Sequence, residues 1–268
     1  MDNFHGCLKS PVDLRDYKVV ASSDKALPDE YELELLPRVK HQKSVSSCVA
    51  HTASSILEYY ELACGRENHL STNFIYGIQK YECEYEGRGM YTRNACKIVA
   101  KYGDMLESEC PGNNEVPECW EIAEEALANE SFKDNASSFK IKSYFSCNTP
   151  EAIKEAIVSY GPVLGVIKWY SSYQPDKKGV LSTTKLGNKG YHAVMIYGWD
   201  KTGFKCQNSW GKSWGNSGRC VIPYEIKIEE ARCFVDAINT KVIIPKRNSV
   251  LDMLHKIANF ILNLFRNK

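Results

Sequence analysis

The sequence has no apolar run approaching the roughly 20 residues that a membrane-spanning helix requires. It has almost no charge imbalance: the formal net charge is +1, so no field of one sign points to nucleic acid or to an acidic polymer as a partner. It has no C-x-x-C pair, which argues against a structural zinc site, and no metal or other cofactor is expected. The N-terminus, M-D-N-F-H-G-C-L-K-S-P, lacks a basic start followed by an apolar stretch. No secretory signal is therefore visible, and a cytoplasmic location is the expectation. On that reading most of the 11 cysteines are reduced, and the odd count leaves at least one unpaired within the chain. Cys110 and Cys119, separated by P-G-N-N-E-V-P-E, are the one local pair that could close a disulfide; free thiols are the preferred reading.

What is present suits a globular protein. With 268 residues, 43% hydrophobic and 25% charged, the chain can form one large domain or two lobes around a cleft. Residues 1–40 carry prolines and mixed charges, including S-P-V-D-L-R-D-Y, and read as an extended segment lying on the body. Val49, Ala50, Ala53, Ile56, Leu57 and Tyr60 recur at helical spacing over about 48–62. Ser46 or Ser47 can cap that helix, which puts Cys48 in its first turn. Further helices are expected at 70–81, at 92–102 before Gly103, at 118–130 and at 150–160 before Gly161-Pro162. The second half turns to strands: Val163–Trp169, His192–Tyr197, a return strand Phe204–Gln207 after a turn at Asp200–Gly203, and Cys220–Ile222. The fold class expected is α+β, with a helical lobe over about 41–135, an antiparallel β-rich lobe over about 136–244, and a cleft between them. Residues 245–268 place Val250, Leu251, Leu254, Ile257, Ile261, Leu262 and Phe265 on one face of an amphipathic helix. Docking on the body or on a second copy is preferred to lying on a membrane surface, since its basic residues are few.

Four residues carry the chemistry. Cys48 near a helix N-terminus would have its thiolate favoured by unpaired N–H groups and the helix dipole. Taken alone it reads as a small buried hydrophobe. Gln42, six positions earlier, changes that, because its amide and the Cys48 N–H can converge as two donors on one oxygen. His192 opens an apolar strand and by itself would be an ordinary core residue. Asn208, across the hairpin, can accept one imidazole N–H and turn the other nitrogen toward Cys48. Trp210 and Trp214 can shield that bond from water. His51 lies one turn past Cys48, and His5, His41, His69 and His255 have no orienting partner nearby in sequence.

These residues resemble the papain-like cysteine proteases over about residues 38–238. The family motifs Q-x-x-x-x-x-C, G-H-A-V and N-S-W-G-x-x-W-G read here as Gln42/Cys48, His192-Ala193-Val194, and Asn208-Ser209-Trp210-Gly211 with Trp214-Gly215. The separation of Cys48 from His192 falls inside the roughly 130–150 residues of the family signature. S-P-V-D-L-R-D-Y and G-M-Y-T-R-N-A-C-K-I-V-A-K-Y-G look more like bacterial and viral members than lysosomal ones. The resemblance implies a two-lobed papain-like peptidase domain over 1–244, a protein or peptide substrate, and substrate backbone pairing along Gly89 with Trp210 lining the cleft. Val45 stands where the lysosomal pattern has a disulfide-forming cysteine, Val49 where it has an aromatic, and His51 where it has a phenylalanine. A cysteine endopeptidase is the leading expectation. A cell-wall amidase or transpeptidase would use the same thioester, although small amidase folds lack N-S-W-G-x-x-W-G. A retired protease serving as a binding module is the third reading.

Overall fold

The structure, a computed structural model, describes residues 6–13, 16–19 and 26–236. The expected tail helix at 245–268 lies outside the described residues.

Helix α1 (Cys48–Ala63) runs through the middle of the molecule and is buried from Cys48 to Glu61. A helix buried on every side must pair its polar groups internally. Glu58 accepts the Leu70 N–H at 2.9 Å and faces the buried Lys40 ammonium at 3.0 Å. Lys40 also donates to the Ser54 hydroxyl (2.6 Å) and the Leu70 carbonyl (2.8 Å). Glu61 takes two bonds from Arg66 and one from Asn68, all between 2.6 and 2.7 Å.

Helix α2 (Thr72–Cys83) is capped by Ser71, whose hydroxyl accepts the Phe74 N–H. Helix α3 (Thr92–Lys101) stops before Gly103, where φ is +88° and a Cβ would sit 2.0 Å from the Ala136 carbonyl oxygen. The single helix expected over 118–130 is instead two, α4 (Glu118–Ala128) and α5 (Glu130–Ser137). Asn129 breaks the run: its extended backbone ends α4, and its side chain accepts the Ser131 and Phe132 N–H groups at the start of α5. Helix α6 (Pro150–Tyr160) begins with proline and is capped by Thr149, which accepts the Ala152 N–H at 3.2 Å. Thr149→Ala should lower stability by about 1 kcal/mol, read from the urea midpoint, without changing the site.

The strands are β1 (Cys7–Leu8), β2 (Tyr31–Glu32), β3 (Met90–Tyr91), β4 (Ser143–Ser146), β5 (Val163–Tyr170), β6 (Lys189–Trp199), β7 (Gly203–Gln207), β8 (Arg219–Pro223) and β9 (Ile228–Val235). They form one sheet in the order β3-β1-β6-β5-β9-β4, with β2 and β7 also on β6 and β8 on β7. Every pair is antiparallel except β1 with β3. Strands β4 and β9 had no counterpart in the sequence reading. Strand β9 hides in the pattern because Glu230 and Arg232 are both buried in it, their charges 2.9 Å apart. The α+β class holds, with helices α1 to α5 preceding the main strands.

All 11 cysteines are thiols, Cys110 and Cys119 included. Cys206 and Cys220 face one another across the β7–β8 hairpin with their sulfurs 3.1 Å apart. Among the described residues no helix is long and apolar enough to cross a membrane.

Candidate active site

Cys48 is the first residue of α1. The expected serine cap is not made: Ser47 holds the cap position, but its side chain accepts no helix N–H. Its hydroxyl lies 3.1 Å from His51 Nδ1 and 3.4 Å from Asn113 Oδ1 instead. The first-turn N–H groups are thereby left for the thiol, and those of Cys48 and Val49 both act on it, joined by the N–H groups of Ala193 and Gly6. The thiol is 0% exposed, and burial outweighs the four donors, pushing it up to about 11.

His192 lies on β6 opposite Ile167 of β5. Its Nε2 is 2.7 Å from Asn208 Oδ1, which also accepts the Ser209 N–H at 2.7 Å. A carboxamide oxygen can only accept, so Nε2 carries the hydrogen and Nδ1 is left as the basic nitrogen. The Ala193 contact to the thiol brings this edge of β6 against the start of α1. Aromatic rings enclose the pair: Trp210 lies 4.7 Å and Trp169 5.3 Å from the imidazole, and Trp214 packs 5.3 Å from Trp210. Excluding water strengthens the enclosed hydrogen bond.

Gln42 is fully buried and held at both ends of its amide. Ser209 donates its hydroxyl to Oε1 at 2.6 Å, and Nε2 donates to the Val45 carbonyl at 2.8 Å. An amide nitrogen has two hydrogens, so one donor remains beyond the Val45 bond. The Gln42 N–H reaches the Ser209 carbonyl at 2.8 Å, and the Gly211 N–H reaches the Lys40 carbonyl at 3.0 Å. The loop before Cys48 is thus stitched to the loop after Asn208, joining Gln42 through Ser209 to Asn208 and His192.

Gly89 has φ +84°, and a Cβ there would come within 2.8 Å of the Gly6 carbonyl oxygen. Its own N–H donates to the Tyr76 hydroxyl and its carbonyl accepts from the Gln79 amide, both at 3.0 Å. The neighbouring Met90 N–H donates to the Gly6 carbonyl at 2.8 Å. Strand β1 lies beside β3 on one flank and β6 on the other.

Residues 28–239 match the family described as Papain family cysteine protease. The chain belongs to the papain family of cysteine proteases. It is 35% identical to human cathepsin O over 204 residues, covering 71% of this chain and 58% of cathepsin O. It is 28% identical to an uncharacterized peptidase C1-like protein of Acanthamoeba polyphaga mimivirus, covering 70% and 65% respectively. The chain thus spans less than two thirds of the length of either relative. Among solved structures, xylellain, a cysteine protease from Xylella fastidiosa, superposes with a TM-score of 0.71 at 22% identity, covering 88% of this chain and 97% of xylellain. That likeness confirms the papain-like fold.

Within this papain-family site, sequence reasoning missed the anchors. Ser209 was visible only as part of a motif, yet it orients both Gln42 and Asn208. Trp169 was taken as the end of a buried strand; the β5–β6 register places it two residues beyond the partner of His192. Val45 and Val49, two of the departures noted above, are both buried in the core. Among the described residues no group of three or more His, Cys, Asp or Glu side chains is arranged to hold a metal ion.

Proposed function

We propose that this protein is a cysteine endopeptidase with Cys48 as nucleophile, His192 as acid and base, Asn208 as orienter, and Gln42 with the Cys48 N–H as oxyanion donors. The observation that carries this reading is the Asn208–His192 bond, which fixes the imidazole tautomer and leaves Nδ1 to exchange a proton with a thiol at an uncapped helix start. His192 Nδ1 takes the Cys48 proton, and the thiolate attacks the peptide carbonyl carbon. As the C–S bond forms, the carbonyl electron pair moves to oxygen, where the Gln42 amide and the Cys48 N–H receive the charge. The oxyanion collapses, the C–N bond breaks, and the imidazolium gives its proton to the leaving amine. His192 then takes a proton from water, whose oxygen attacks the thioester. The C–S bond breaks, the acid product leaves, and the thiol is restored. Trp210, half-buried beside His192, is the natural wall for the leaving side of the substrate.

A peptidyl epoxide and a peptide library test the reading together. One equivalent of epoxide should attach to the tryptic peptide that holds Cys48, and the untreated protein should release peptides from internal bonds of the library. Quantitative attachment at Cys48 with no cleavage of any library member would overturn the endopeptidase assignment.

A further inference from the structure

The backbone from Gln42 to Cys48 carries both donors assigned to the oxyanion, and up to Ser47 it is a loop rather than a helix or strand. Lys43, which follows Gln42, is exposed and left-handed, with φ +54°. A residue with a side chain keeps that conformation only where its surroundings impose it. No disulfide imposes it, since all 11 cysteines are thiols. Within the loop, the Val45 N–H donates to the Gln42 carbonyl at 3.0 Å and the Lys43 N–H donates to His41 Nδ1 at 2.9 Å. Ser209 holds the loop from one side through the Gln42 amide and N–H.

The segment 111–115 holds it from another side. Asn113 turns its whole carboxamide to the loop. Nδ2 donates to the Gln42 carbonyl at 2.7 Å and to the His41 carbonyl at 3.3 Å, and Oδ1 accepts the Ser47 hydroxyl at 3.4 Å. Glu115 Oε1 accepts the Ser46 N–H at 2.5 Å, fixing a peptide unit two before that of Cys48. The segment is in turn anchored on α2. The buried Asn73 donates to the Pro111 carbonyl and to Asn114 Oδ1, both at 3.1 Å, and accepts the Asn114 N–H at 3.0 Å. Tyr76, also on α2, donates its hydroxyl to Glu115 Oε2 at 3.1 Å. A buried helix is the rigid base that preorganised donors need.

We propose that Asn113 and Glu115 are positioning residues for the peptidase reaction, acting through the backbone of residues 42–47 to aim the Gln42 amide and the Cys48 N–H at the oxyanion. The inference rests on those two groups being the oxyanion donors, and it adds two residues that lie outside the sequence motifs. An interaction that strengthens only as charge develops on oxygen governs turnover rather than substrate binding. It has no part in a reaction of the thiol that makes no oxyanion. Alkylation by iodoacetamide is such a reaction: the sulfur displaces iodide, and no carbonyl oxygen gains charge.

Asn113→Ala, Glu115→Ala and Glu115→Gln are compared with the parent in three measurements. These are kcat and KM on one peptide, the rate of Cys48 alkylation by iodoacetamide, and the affinity of a peptide aldehyde, whose Cys48 adduct carries its oxygen where the oxyanion forms. In both alanine variants kcat should fall about tenfold to a hundredfold. Aldehyde affinity should fall with it, while KM and the alkylation rate stay near those of the parent. Glu115→Gln keeps an oxygen for the Ser46 N–H and should keep kcat near that of the parent. Unchanged kcat in both alanine variants would overturn the proposal. So would equal losses in kcat and in alkylation rate, because a merely structural role disturbs the thiol as much as the donors. A parent that cleaves no peptide, yet binds the aldehyde more tightly than either alanine variant, would count against the peptidase reading and leave the positioning roles standing.

Discussion

Replacing Cys48 by alanine, His192 by alanine, or both together should bring kcat/KM for peptide hydrolysis to one common floor, about 10³- to 10⁶-fold below the parent protein. The reason lies in how the two groups act. The thiol is buried, which pushes it up to about 11, so it does not supply a thiolate alone. The imidazole has its hydrogen committed to Asn208 and offers one basic nitrogen. Each is useful only through the other, so removing either removes the thiolate–imidazolium pair. The second substitution then has nothing left to take away, and the losses do not add. What remains at the floor is ground-state binding and the oxyanion donors, since Gln42 is held by Ser209 and Val45 rather than by either catalytic group. Steady-state rates on one peptide substrate for the parent, both single variants and the double variant make the test. A double variant slower than each single one by a further factor as large as the first loss would show that the residues act independently, and the pairing would be withdrawn.

The common floor also explains which parts of this protein could be read before its structure. The site residues sit at fixed spacings in the chain, and their chemistry depends on residue type, so Cys48, His192, Asn208 and Gln42 could all be named from the sequence. The α1 helix and strands β5 to β7 followed from apolar periodicity, within a few residues at their ends. Other features depend on partners far away in the chain. Strand β9 carries two buried charges, and no local pattern announces that Glu230 will be paired with Arg232 and hydrogen-bonded by Thr92. Strand β1 is two residues long and becomes a strand only because β3 and β6 flank it. The engagement of both backbone groups of Gly89 by Tyr76 and Gln79 on α2 is likewise a contact that no local pattern announces. The missing serine cap is of the same kind: helix rules favour a capped start, whereas this one leaves its N–H groups to a sulfur.

His51 yields the second large effect, and it is one of stability. It lies one turn past Cys48, buried, with Nδ1 donating to the Ser47 carbonyl at 3.0 Å. Burial, then the nearby Lys40 charge, with smaller contributions from His41 and His192, pushes it down to about 3. The folded protein therefore keeps His51 neutral through mildly acid solution, while the unfolded chain takes up a proton below about 6.5. Proton uptake by the unfolded state alone means that the stability from neutral His51 is complete above about 6.5 and falls as the pH drops toward 3. The slope is about 1.4 kcal/mol per pH unit, so roughly 2–3 kcal/mol should be lost between pH 6.5 and 4.5 through this residue alone. His51→Phe removes the titrating group along with one hydrogen bond. It should be less stable than the parent at pH 7, by about 1 kcal/mol, and should lose less on acidification. Urea midpoints at pH 7 and pH 4.5 for both proteins decide the matter. Parallel losses in parent and variant would mean that His51 is not the acid-sensitive group beneath Cys48. A smaller loss in the variant would show that the histidine in the usual phenylalanine position costs this protein its acid stability.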